Sequence, residues 1–215
     1  MGARFERLAL TGGIATGKSV CLRRFAQLGL PTIDADVVAR AVVAPGTAGL
    51  AAVVTRFGPG ILRPDGSLNR AALGHLVFAD AEARSHLEDI VHPAVFDAIE
   101  RWLNDQSRRA SDAGAPHVAI ADIPLLYEVG QAGRFDRVIV AACPPEQQIE
   151  RLMARDGITE EAARRRLAAQ WPIDRKRALA DFVIDTSGSM DETIANVDHV
   201  WAQIIGPGHG VSGHE

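Results

Sequence analysis

Residues 12 to 19 read Gly12-Gly13-Ile14-Ala15-Thr16-Gly17-Lys18-Ser19, the spacing G-x-x-x-x-G-K-[ST]. Glycines at both ends let the backbone curl until successive N–H groups point inward, where phosphate oxygens would sit. The apolar centre Leu8-Ala9-Leu10 predicts a strand over Phe5–Thr11. A helix follows from about Gly17 to Leu28, closed by Gly29. In that setting Lys18 would reach the β- and γ-phosphates of a nucleoside triphosphate, and the Ser19 hydroxyl would complete the shell of a Mg2+ ion. The competing reading is a glycine-rich turn with a chance lysine. Lys18 and Lys176 are the only lysines among 23 basic residues, which weighs against chance. By itself the loop specifies a triphosphate and names no acceptor.

Outward from the loop, Pro31–Ile33 predicts a second strand that ends at Asp34 and Asp36, with a helix over Val37–Val43 stopped by Pro45-Gly46. Ligands of open parallel sheets sit at the carboxyl ends of the strands, so either acid could take the proton of an acceptor hydroxyl. Asp36 could equally be the N-cap of the helix that follows it. Asn69–Arg109 predicts helix broken near Asp80 and at His92-Pro93, and the absence of strand-like runs marks about 57–116 as an inserted helical lobe. Val118–Ala121, ending in Asp122, and Val138–Ala142 are continuous apolar runs, the pattern of a parallel sheet buried on both faces. Glu146–Gln170 predicts helix with a break near Gly157, Phe182–Ile184 a last strand and Met190–Ile205 a last helix. The glycine-rich tail 206–215 is expected to be disordered. The fold class is α/β, a parallel sheet in three α/β/α layers.

Composition excludes several classes. The net charge is -4 and the pI about 6.0, against a protein that coats nucleic acid. Cys21 and Cys143 have no metal-ligand spacing and fit a reducing cytoplasm. No apolar run approaches the roughly 20 residues of a membrane span, and Met1–Leu10 is too short and too charged for a signal peptide.

Taken in order, the motifs resemble the bacterial dephospho-CoA kinases over nearly the whole chain. Leu10-Thr-Gly-Gly-Ile14 is similar to that family's loop opening, and Ile33-Asp-Ala-Asp36 with Ala39-Arg40 and Pro45-Gly46 to its acceptor side. Asp65-Gly-Ser-Leu68 and His92-Pro93 resemble its helical lobe, and Asp122-Ile-Pro-Leu-Leu-Tyr-Glu128 its most distinctive segment. Gln148, Arg151, Arg155, Gln170 and Ala180-Asp181-Phe-Val-Ile-Asp185 complete the order. The resemblance implies a P-loop NTPase-type kinase that uses ATP and Mg2+ to phosphorylate the ribose 3′-hydroxyl of dephospho-CoA, the last step to coenzyme A. It implies Asp36 as base, Lys18 on the transferring phosphate, and Arg151 on a lid. Arg40, His92 and Leu125 fall on the acceptor side, and Asp122 would act on Mg2+ through water. One kinase unit over 1–205 follows, with a nucleotide core at 1–56, 117–143 and 179–205, the acceptor lobe at 57–116 and a lid at 144–178. Two departures stand out: Ala15-Thr16 where Gly-Ser is commoner, and Thr186 where asparagine is usual beside the adenine pocket.

Arg151 and Arg155 lie four apart and share a helix face, as a pair that neutralises charge on a triphosphate would. Arg164–Arg166 suit a solvated flank. For His92, substrate contact and helix-boundary packing both remain open. Trp102 and Trp201 read as core, and Trp171 as a hinge anchor or surface packing. A nucleoside monophosphate kinase shares this layout, and a GTP switch is disfavoured because no asparagine precedes lysine.

Overall fold

The computed structural model describes residues 4–110 and 117–206; the tail expected to be disordered lies, beyond Gly206, outside them. The apolar runs become the central strands of a sheet. Its members are β1 (Glu6–Gly12), β2 (Thr32–Asp34), β3 (Val118–Asp122), β4 (Arg137–Ala142) and β5 (Phe182–Asp185), in the order β2-β3-β1-β4-β5. β1 runs parallel to β3 on one side and β4 on the other, and β4 runs parallel to β5. β3 is buried throughout and β4 everywhere after Arg137, as strands covered on both faces are. The α-helices among the described residues are α1 (Lys18–Gln27), α2 (Ala35–Ala41), α3 (Ala48–Phe57), α4 (Arg70–Ala79), α5 (Ala81–Ala110), α6 (Pro145–Asp156), α7 (Glu160–Ala168), α8 (Ile173–Ala178) and α9 (Met190–Ile205).

The chain forms two compact units, 1–32 with 107–215, and 33–106. In the first, Cys21 and Phe25 of α1 and Val197, Val200 and Ile204 of α9 recur at helical spacing and close on Leu8, Leu10, Ile120, Ile139 and Ile184. A capping box starts α9: the Ser189 side chain accepts from the Glu192 amide, and the Glu192 carboxylate accepts from the Ser189 amide. A smaller cluster joins α6 and α7 through Ile149, Leu152 and Ala163, and Ile14 and Ala15 pack against it.

The second unit has its own core of Val43, Leu50, Val53, Ile61, Leu68 and Leu73. The break predicted near Asp80 is present, and its carboxylate accepts from Glu82 N at 2.8 Å and Ala83 N at 3.2 Å. The break predicted at His92-Pro93 is absent, because α5 runs through Pro93. Proline removes one intrahelical hydrogen bond and crowds the preceding turn. Buried packing on both sides outweighs that loss: Leu87, Ile90 and Val91 lean on the unit's core before it, and Val95, Phe96, Ile99 and Leu103 are buried after it.

Candidate active site

The chain leaves β1 at Gly12 and enters α1 at Lys18. A Cβ on Gly12 would stand 2.7 Å from both the Ala141 carbonyl oxygen and Thr16 Oγ1, a collision with the β4 backbone, and one on Gly13 would stand 2.7 Å from Gln148 Oε1 and have to displace that side-chain amide. Gly17 takes φ 82°, in the left-handed region. Thr16 tightens the curl, its hydroxyl donating to the Gly13 carbonyl at 2.9 Å. No side chain caps α1. Its first amides and the positive end of its dipole are therefore available to an anion. Ala15 has φ 59°, the only positive value at a non-glycine residue among those described. Glycine would adopt it more readily, but the alanine methyl group gives the loop its apolar contact with α6 and α7.

Lys18 Nζ donates to the Asp122 carboxylate, which is 2% exposed. The sheet makes this pair: Leu10 and Asp122 are register partners, so the acid ends its strand beside the start of the loop. Ser19 is exposed on the first turn of α1. A hydroxyl and one carboxylate are a donor set suited to Mg2+, which is held by a few oxygen ligands together with substrate phosphates.

Arg151 reaches the same place from α6. Its Nη2 donates to the Thr186 carbonyl at 2.8 Å, and a Cβ on Gly17 would lie 3.8 Å from its Nη1. The Thr186 hydroxyl is buried and lies 2.5 Å from the Thr16 carbonyl and 3.0 Å from that of Ala142. It thus ties the loop to β4. Gly17, Val20, Arg151, Thr186, Gly188, Met190 and Thr193 surround a cavity of about 250 Å3. Arg155 turns instead to Asp156 at 2.8 Å and is largely exposed. Arg164 and Arg165 pair with Glu160 and Glu161 one turn back, and Arg166 with Asp156, a solvated flank as expected. Leu125 is 40% exposed between buried Ile123 and Leu126.

The acids at 34 and 36 belong to the second unit. The cap expected of Asp36 falls to Asp34 instead, which accepts from Asp36 N at 2.7 Å and Val37 N at 3.3 Å at the start of α2. The Asp36 carboxylate is exposed in the first turn, and no hydrogen bond or ion pair holds it among the described residues. Arg40 is exposed at the end of α2, and His92 is half-buried within α5. Ile33, α2, the start of α3 and the face of α5 bearing Ala94, Ala98 and Arg101 line a mostly apolar cavity of about 950 Å3.

A family model described as dephospho-CoA kinase matches residues 7–192. The chain belongs to the dephospho-CoA kinase family. The dephospho-CoA kinase of Anaeromyxobacter dehalogenans is 46% identical over 199 residues, 93% of this chain and 92% of that one. That of Geobacter sulfurreducens is 44% identical over 196 residues, 91% and 97% of the two chains. The solved dephospho-CoA kinase from Campylobacter jejuni superposes with a TM-score of 0.70 at 29% identity, over 92% of this chain and 96% of that one. A shikimate kinase from Acinetobacter baumannii, at a TM-score of 0.52 and 15% identity over 94% and 93%, shares the fold.

Several residues around the dephospho-CoA kinase loop received no role from the sequence. Lys176 has no exposed surface; its Nζ donates to the Gly12 carbonyl at 3.0 Å and the Pro124 carbonyl at 3.3 Å, and pairs with Glu128 at 2.7 Å. Burial pulls its pKa below the ordinary lysine value; Glu128 opposes the shift and Lys18 adds to it. Ile14 N–H donates to Gln170 Oε1 at 2.8 Å, and Trp171 N–H to Glu128 at 2.9 Å. Trp171 is an anchor, its ring stacked on that of Tyr127 with centroids 6.2 Å apart and the Arg175 guanidinium carbon 3.4 Å from its own centroid. The scarcity of lysine that singled out Lys18 applies equally to Lys176 and was the available signal.

Proposed function

We propose that this chain transfers the γ-phosphoryl group of ATP to the ribose 3′-hydroxyl of dephospho-CoA, yielding coenzyme A and ADP. Family membership, joined to a glycine loop whose lysine meets a strand-end acid, carries the reading. The Lys18 ammonium and the backbone amides between Gly13 and Ser19 hold the triphosphate, except those of Ile14 and Thr16, which are bonded to Gln170 and to the Gly13 carbonyl and shape the loop. Ser19 and, through water, Asp122 would hold Mg2+ bound with the triphosphate, which would supply positive charge against the phosphates. Asp36 takes the proton of the 3′-hydroxyl as that oxygen attacks phosphorus and the bond to the ADP oxygen breaks. A carboxylate with no internal partner is suited to this role, since it gives up no hydrogen bond on protonation. Arg151, beside Gly17, adds positive charge as the transferred group separates, and Arg155 adds to the field around the nucleotide.

The 950 Å3 cavity of the second unit falls in the size range of small-molecule sites and is largely apolar, as a site for a pantetheine arm would be. Arg40, His92 and Leu125 are assigned to the acceptor. On this reading 1–56, 117–143 and 179–205 form the nucleotide core, 57–116 the acceptor lobe and 144–178 the lid, with residues 33–49 of the first segment also facing the acceptor. The two cysteines are free, in keeping with a cytoplasmic enzyme, and no described helix is long and apolar enough to cross a membrane.

An acceptor panel with ATP and Mg2+ is the test. Dephospho-CoA is expected to be phosphorylated well ahead of AMP, adenosine and shikimate. Turnover of AMP or shikimate with none of dephospho-CoA would sink the proposal.

A further inference from the structure

Lys176 takes no part in the mechanism above, yet it is a fully buried ammonium on the first residue of the phosphate loop. A buried cation is costly unless its donors are all met. Here they are met by the Gly12 carbonyl at the end of β1 and by the Pro124 carbonyl and Glu128 in the segment that follows β3. Glu128 accepts on the same oxygen from the Trp171 amide, and its other oxygen is buried without a partner. One residue before Trp171, Gln170 accepts from the Ile14 amide. The stretch 170–176 between α7 and β5 therefore grips the loop at Gly12 and Ile14, while Trp171 stacks on Tyr127 and fixes the stretch itself. A simple ion pair would account for Lys176 and Glu128 but not for the bond to Gly12. The Gly12 carbonyl sets the peptide plane from which the amides of the curl follow.

We propose that Lys176 is a positioning residue of the phosphate loop: it holds the Gly12 carbonyl so that the following amides are aligned for phosphate before nucleotide arrives. Glu128 serves to make that buried ammonium tolerable. The inference rests on the loop being the triphosphate site, so wild-type ATP binding is measured alongside.

The experiment compares wild type, Lys176→Met, and Lys176→Met combined with Glu128→Gln, in melting temperature and in KM for ATP and for dephospho-CoA. Lys176→Met alone is expected to lower the melting temperature, because it strands the Glu128 charge. The double variant, which removes both charges, is expected to regain most of that loss. Both are expected to raise KM for ATP about tenfold, the equivalent of one well-made buried hydrogen bond, with KM for the acceptor unchanged. A double variant that recovers wild-type KM for ATP together with its melting temperature reduces Lys176 to a structural ion pair and overturns the proposal. Should the double variant not fold, Lys176→Arg decides. It keeps a cation for Glu128, but its planar fork cannot reproduce the bond to Gly12. A raised KM for ATP in Lys176→Arg upholds the proposal, and a wild-type value overturns it. Failure of the wild type to bind ATP would instead remove the phosphate-loop reading on which both stand.

Discussion

Asp34 holds two amides of the first turn of α2, and this leaves Asp36, two residues on, with no internal obligation. The two acids should respond differently to the same substitution. Asparagine caps helices as well as aspartate does, so Asp34→Asn should keep stability and most turnover. Asp34→Ala should cost about 1 kcal/mol of stability. Asp36→Asn should leave the melting temperature and ATP affinity near wild type while turnover falls by about 100-fold or more, as for a lost general base. Steady-state kinetics on the pair settles the order, and a larger defect in Asp34→Asn would assign the base to the other acid. If Arg151 acts on the transferring group as proposed, Arg151→Ala is expected to depress kcat far more than it raises KM. It should also lower stability modestly, since the bond to the Thr186 carbonyl is lost.

Elements were legible where local pattern and burial agree. Leu8-Ala9-Leu10 and Val118–Ala121 are apolar at successive positions, and a strand buried on both faces is the economical answer. Met190–Ile205 was readable to its ends because Ser189 and Glu192 make a capping box and Gly206 follows. Pro93 was misread because local chemistry says stop, whereas the forces that carry α5 onward come from residues distant in sequence, such as Val53 and Leu73 of the core on which Ile90 and Val91 lean. The helix thus retains a local defect. Pro93→Ala restores an amide donor and removes ring crowding, and should stabilise the chain by about 1–3 kcal/mol in chemical denaturation. A loss of stability would mean that the ring itself packs usefully. The loop's outer supports were illegible for a related reason. Lys176 and Gly12 are separated by 164 positions, and no periodicity or turn rule links residues so far apart.

At the scale of the whole molecule, alkaline pH is the informative stress. Burial pushes the Cys21 thiol up to about 12 from 9.0, and the Tyr127 hydroxyl up to about 12 from 10.0. Both groups lose their protons more easily in the unfolded chain than in the fold. Their contribution is therefore fully present below about pH 9 and declines as pH climbs toward 12. Lys176 works with the opposite sign, because its lowered pKa makes the protonated form unfavourable in the fold and deprotonation relieves it. Comparison with Cys21→Ala isolates one contribution, since Tyr127 and Lys176 are common to both proteins. The variant should show a shallower fall in denaturation midpoint between pH 9 and 11, and parallel curves would contradict the assignment.

The contact between Lys18 and Asp122 also bears on the order in which ligands can arrive. With the ammonium seated on the acid, the pair is neutral overall, and a bare divalent cation meets no net attraction there. Calorimetric titration with Mg2+ alone should accordingly register little heat. On the proposed reading, a triphosphate would draw Lys18 toward its own oxygens and leave Asp122 its full charge to attract, through water, the cation bound with the nucleotide. Metal and nucleotide would then enter as one chelate, and a cation without its nucleotide would find the door closed.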